Sequence, residues 1–162
     1  MSNVSEFVDA LAGTYGVDRG GSAAAQALFD VAVCQHIPLF EADDDTNILC
    51  LWKNDTGYDL VLEEAEIMPS AAVTANDTNY TTLAMAFGTV GAYVAAVTTM
   101  TTKITGGTGD WVADTPEPFT VSATLSARTL AAGEYVKLTL DGTNGTGVDL
   151  PRCSAILRFK RA

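Results

Sequence analysis

Ile67-Met-Pro-Ser-Ala-Ala-Val-Thr-Ala-Asn-Asp-Thr-Asn-Tyr-Thr-Thr-Leu-Ala-Met-Ala-Phe87 decides the fold class. Ile67 and Met68 close one apolar run, and Pro69 and Ser70 stop it. Ala75-Asn-Asp-Thr78 supplies turn chemistry, because Asn and Asp side chains bond their own backbone nearby. From Tyr80 the chain alternates, with Leu83, Met85 and Phe87 on one face and Tyr80, Thr82 and Ala84 on the other. A period of two with threonine outside marks a half-buried strand. The stretch therefore reads as strand, turn, strand, and it holds no catalytic nucleophile, metal cluster or phosphate loop.

The same rhythm extends in both directions. Upstream, Phe29, Val31 and Val33 alternate with Asp30, Ala32 and Cys34. Ile48 to Trp52 is a continuous apolar run, as for a strand buried on both faces, and Lys53-Asn-Asp-Thr-Gly57 is a turn. Tyr58, Leu60 and Leu62 alternate until the phase flips around Glu63 and Glu64, where Ala65 and Ile67 take over; a bulge explains the flip. Downstream, Val90 to Ile104 mixes alanine with valine and threonine. The threonine pairs and the flanking Gly88 and Gly91 favour strand over helix there. Trp111, after the Gly106-Gly-Thr-Gly109 loop, is placed at the edge of the core. Phe119, Val121, Ala123 and Leu125 alternate, Ala131-Ala-Gly133 turns, and Val136, Leu138 and Leu140 make the next strand. Asp141 to Gly147 is a hairpin tip, and Ala155, Leu157 and Phe159 close the chain. About eight to ten strands, with no alternating helices, predict an all-β fold: an antiparallel two-sheet β-sandwich, with a jelly roll as the expected topology.

Residues 1–27 differ. Val4, Phe7, Val8 and Leu11 fall at helical spacing, with Ser2 or Asn3 placed to cap. Gly13, Gly16, Gly20, Gly21 and Ser22 follow, then Ala23-Ala-Ala-Gln-Ala27. This predicts a short helical or extended N-terminal arm (1–27), for anchoring or subunit clasping, ahead of a β-sandwich domain (28–162). Apolar residues on a solvated arm need a surface to cover them, which makes Phe7, Val8 and Leu11 candidate contact residues.

The chain has 162 residues and 48% hydrophobic composition, enough for the core of one domain. Its apolar runs stop well short of a membrane span. Glu6 and Asp9 stand where a secretory signal would be basic and then apolar, so cytoplasmic synthesis is expected. Nine basic against twenty acidic residues give a net charge of −11, which disfavours nucleic acid and anionic lipid as partners. Arg152, Arg158, Lys160 and Arg161 follow Pro151 with no acid among them; the other five cations leave residues 1–151 at −15. Such an end is either an electrostatic docking tail or, the favoured reading, a last strand with a charged outer face. Cys34, Cys50 and Cys153 are far apart inside apolar runs, as reduced thiols acting as small hydrophobes.

Candidates for chemistry are few. His36, the only histidine, lies two residues from Cys34 on the same strand face, a pair with no third partner in view. Asp43-Asp-Asp45 has calcium-binding residue types, but lacks the Gly and distal Glu of an EF-hand loop and reads as a solvated acidic turn. Glu64 and Glu66 share one strand face rather than flanking a cleft. Gly106-Gly-Thr-Gly109 lacks the Lys and helix of a phosphate loop. Trp52, Trp111 and Tyr58 are candidates for a sugar-stacking face, set against a core role. No catalytic residue, cofactor or metal site is predicted.

Val73-Thr-Ala-Asn-Asp-Thr-Asn-Tyr80, set between apolar strands, resembles a segment of small β-sandwich proteins on tailed-bacteriophage particles. The likeness continues through Gly88, the Gly106 to Trp111 loop, Ala131-Ala-Gly133, and Asp141 to Gly147 with Leu150-Pro151, and covers about residues 28–160. It implies a non-enzymatic capsid decoration or head-fibre protein, made in the host cytoplasm and placed on the virion exterior. It further implies a symmetric homo-oligomer, with a homotrimer expected, bound to major capsid proteins. Many copies, each adding a modest contact, would reinforce the shell by avidity. Phe7, Val8 and Leu11 in the arm, and Arg158, Lys160 and Arg161 at the basic end, are then the candidate capsid or subunit contacts. A carbohydrate-binding β-sandwich module, or a tail or neck component, is the alternative.

Overall fold

The computed structural model describes residues 31–38, 40, 47–142 and 148–162. The expected arm, with Phe7, Val8 and Leu11, and the Asp43-Asp-Asp45 turn lie outside the described residues. Ten strands run through the rest: β1 (Val31–Ile37), β2 (Asn47–Lys53), β3 (Leu60–Pro69), β4 (Thr81–Thr89), β5 (Ala92–Ala95), β6 (Met100–Thr101), β7 (Glu117–Pro118), β8 (Thr129–Leu130), β9 (Tyr135–Gly142) and β10 (Cys153–Arg161).

The strands form two antiparallel sheets packed face to face, a β-sandwich. One sheet has the order β1-β10-β3, with β7 and β8 both pairing the far side of β3. The other has the order β2-β9-β4, with β5 and β6 pairing the far side of β4. The chain crosses between sheets at each of its first three connections, and β10 returns to lie between β1 and β3.

Alternation builds the core. Leu83, Met85 and Phe87 of β4 face inward beside Val136, Leu138 and Leu140 of the neighbouring β9, and join Ala155, Leu157 and Phe159 of β10 in the opposite sheet in one core. Phe159 is the hub, its ring 5.9 Å from Phe87 and 5.7 Å from Trp52. The phase flip in β3 is a bulge. Arg158 pairs with Glu64 but Phe159 with Leu62, so Glu63 is skipped, and the buried set changes from Leu60 and Leu62 to Ala65 and Ile67. Trp111 is 1% exposed, bridges Val73 through the backbone, and donates its indole N–H to Thr108 Oγ1 at 2.7 Å. Val90 to Ile104 contains strands, as expected.

Three expectations give way. Ile48 to Trp52 is not buried on both faces: β2 is an edge strand and Ile48 is 59% exposed. The run is continuous because a bulge at Leu51 turns Leu51 and Trp52 both toward the core. Phe119 to Leu125 is not one strand. Phe119 is buried, but the chain then turns, with Ala127 and Arg128 amides bonding Thr124 O, and Leu125 is 57% exposed. The cysteines are not all internal either. Cys34 and Cys50 point outward from edge strands and are exposed, and only Cys153 is buried. All three are free thiols.

Candidate functional site

The basic end is the last strand rather than a tail, held between β1 and β3. Register decides what its cations meet. Arg158 lies opposite Glu64 and pairs with its carboxylate. Lys160 Nζ reaches Glu63 Oε1 at 2.9 Å, and Arg128 Nη1 reaches the same oxygen at 3.3 Å. The bulge that leaves Glu63 unopposed aims it at both cations. Arg161 lays its guanidinium 3.8 Å from the ring centre of Tyr58. Lys103 sits over Tyr80, Lys137 over Tyr93, and Lys53 over Tyr135 while also pairing with Asp55 at 2.7 Å. Arg158, Lys160 and Arg161 thus share one strand but have separate partners on the sandwich itself.

Arg152 is the one cation without a partner among the described residues. It lines an open groove of about 670 Å³ at one end of the sandwich, with His36, Met68, Ser70 and Asp114. Strand ends build this groove: Ser70 N–H donates to Arg152 O at 2.9 Å, and Asp114 N–H to Pro69 O at 2.8 Å. Asp114 takes φ 57°, the left-handed region rare for a residue with a Cβ. In the sequence Arg152 stands out only as one of four clustered cations, and Asp114 does not stand out. The Asp-Thr-Pro turn at 114–116 was the available signal. An exposed guanidinium beside an imidazole and a serine hydroxyl offers donors to a carboxylate on a partner surface.

The remaining candidates stay apart. Cys34 and His36 share the exposed face of β1, opposite Ile156 and Ser154. Cys153 donates its thiol to Pro151 O at 3.2 Å, and burial pushes its pKa up to about 11, which keeps it an inert thiol. Glu64 is committed to Arg158, and Glu66 lies beside Pro118 of β7. The glycine loop folds onto its own chain: Gly109 N–H donates to Lys103 O at 2.8 Å, and a Cβ on Gly107 would come within 2.6 Å of that same oxygen. Trp52 and Trp111 belong to the core, and Tyr58 has Arg161 over its ring, so these three aromatics form no stacking platform. Among the described residues no group of three His, Cys, Asp or Glu could hold a metal, and no helix is long and apolar enough to cross a membrane. No known family model matches the chain, and no curated protein sequence matches it.

Proposed function

We propose that this chain is a bacteriophage virion protein that decorates the capsid exterior as a symmetric homo-oligomer, bound to major capsid proteins, and reinforces the shell without enzymatic chemistry. The observation that carries the reading is where the resembling turns fall. Gly88 to Gly91, the Gly106 to Trp111 loop and Ala131-Ala-Gly133 each link successive segments of a two-sheet sandwich. We read the winding, in which β10 returns between β1 and β3 and β9 between β2 and β4, as a jelly roll. The charge pattern supports the same role. A chain at −11 with its described cations largely engaged internally resists self-aggregation and released DNA, while Arg152 in its groove remains for an acidic loop of a capsid protein.

The test is co-sedimentation of the purified full-length protein with tailed-phage heads from the same source, followed by heating the heads to DNA release. Stoichiometric binding and a higher release temperature are expected. Heads that sediment without the protein sink the capsid reading; binding with no rise in release temperature sinks the reinforcing role. Arg152→Glu is expected to weaken head binding about tenfold, as for loss of one charge-assisted contact.

A further inference from the structure

The four sheet edges are not alike. On the first sheet, the far edge is broken into two-residue pieces, β7 and β8, and β7 carries Pro118. On the second, one edge is split between β5 and β6, and the other, β2, is bulged at Leu51 and ends on Lys53. Short pieces, proline, bulges and charge are the devices by which soluble proteins prevent strand addition. β1 has none of them. Its seven residues, Val-Ala-Val-Cys-Gln-His-Ile, keep unbroken register with β10 and include no Asp, Glu, Lys, Arg or Pro. Among the described residues, backbone pairing reaches β1 from β10 alone.

We propose that this edge pairs antiparallel with β1 of a second copy, across a two-fold axis at Cys34, so that two sandwiches share one continuous sheet. Full overlap of a seven-residue strand with its own antiparallel copy places its middle residue on the axis. Val31 then faces Ile37 of the second copy, Ala32 faces its His36, Val33 its Gln35, and Cys34 its Cys34. Charge selects this occupant. In a chain at −11, most segments of another copy would bring carboxylates, whereas β1 meets itself with no like-charged pair opposed. The inward residues Val31, Val33 and Ile37 extend the inner face, with Gln35 uncharged among them, and the outward face brings Cys34 to its copy and His36 to the small Ala32. The inference goes beyond the capsid reading and replaces the three-fold oligomer implied by the resemblance with a two-fold contact.

Cys34 is the reporter. Directly opposed residues of an antiparallel pair have Cα atoms about 4.5–5.5 Å apart, within disulfide reach. Under reducing conditions the full-length protein is expected to sediment at twice the chain mass. Cys34→Lys, which sets two ammonium groups face to face at an exposed position, is expected to halve that mass while keeping the circular dichroism of the fold. Mild oxidation is expected to cross-link the unaltered chain and Cys50→Ser, but not Cys34→Ser. The oxidation arm holds even if Cys34→Lys fails to fold. A chain-mass species, as when residues 1–30 of the same chain take the edge, overturns the proposal. So does a mass unchanged in folded Cys34→Lys, or a cross-link that survives Cys34→Ser. Head binding is read separately: a dimer that ignores heads removes only the capsid reading, and a monomer that binds them removes the dimer and the homo-oligomeric form of the decoration, but not the decoration itself.

Discussion

The tripeptide Asn-Asp-Thr occurs at residues 54–56 and again at 76–78, and the fold uses the two copies in opposite ways. In the first, the asparagine makes the long-range bonds. Asn54 is fully buried, and its Nδ2 donates to Tyr58 O at 2.8 Å, Leu130 O at 3.1 Å and Ala131 O at 3.2 Å. Its Oδ1 accepts from Thr56 Oγ1 at 2.7 Å, while Asp55 turns out to Lys53. In the second, Asn76 acts locally, its Oδ1 accepting the Thr78 and Asn79 amides at 2.8 and 2.9 Å. The aspartate makes the long-range bonds instead, with Asp77 accepting from the Thr105 amide at 2.8 Å and its hydroxyl at 2.9 Å. Burial sorts the roles. A neutral amide tolerates a dry site once its donors and acceptor are matched, whereas a carboxylate there would carry a large desolvation cost. The tertiary clamp falls to the asparagine where that residue is buried and to the aspartate where both residues are solvated.

If that division is correct, Asn54→Ala is the most damaging change in either turn. It leaves the Leu130 carbonyl without its side-chain donor and removes the side-chain share of the link between the 54–58 and 130–134 turns, while the backbone bonds from Asn54 N–H to Glu134 O (2.9 Å) and from Gly133 N–H to Asn54 O (2.7 Å) remain. A loss of about 3 kcal/mol is expected, from the buried Leu130 carbonyl left unmatched together with the space vacated by a fully buried side chain. Urea denaturation measures it. Asn54→Asp keeps the shape, but at neutral pH it turns a carboxylate toward three carbonyl oxygens, and it is expected to be at least as destabilising. A cost below about 1 kcal/mol for the alanine variant would mean that water replaces the amide, and the two turns would not differ in kind.

Nothing in the tripeptide itself marks which copy is buried, and that is where sequence reading stops more generally. The alternation of Leu83, Met85 and Phe87 and of Val136, Leu138 and Leu140 was legible because each strand buries one face. The flip at Glu63 and Glu64 was legible as a bulge, since it interrupts a period of two on both sides. Ile48 to Trp52 was misread because an apolar run looks the same whether the strand is covered twice or bulged once. Leu125 was misread because alternation carries no information on whether local bonds, here from Thr129 Oγ1 and the Ala127 amide, will take the backbone into a turn. The partners of the basic end, and the placing of Arg152, His36 and Asp114 along one groove, depend on strand register and on loops distant in sequence. Composition could count those cations but could not pair them.

The solvated turn supplies the middle-sized effect. Asn76→Ala removes two amide bonds from an exposed loop, where water can replace them, so its cost is expected near 1 kcal/mol, about a third of that at Asn54. Paired urea titrations of the two variants give the ratio directly. Equal costs would mean that the side-chain bonds of Asn76 hold the loop in place for its backbone N–H bond to Thr102 O (3.1 Å), and that burial does not separate the two turns.

The smallest effect is a pH dependence confined to the second turn. The Thr105 amide and then its hydroxyl hold Asp77 below the ordinary aspartate value of 3.8, with Lys103 adding a little. A carboxyl depressed in the folded state stabilises fully above its unfolded pKa, and that contribution is lost as pH falls through the folded value. The clamp between residues 77 and 105 should therefore be intact at pH 5 and loosen below about pH 3.8, with Asp77→Asn removing the dependence. The Thr105 amide proton reports it: its NMR shift in the unaltered chain should titrate with an apparent pKa below that of a free aspartate, and stay flat in the variant. Titration at or above the free value, or an identical curve in Asp77→Asn, would assign the bond to geometry alone and remove Asp77 as the exposed counterpart of Asn54.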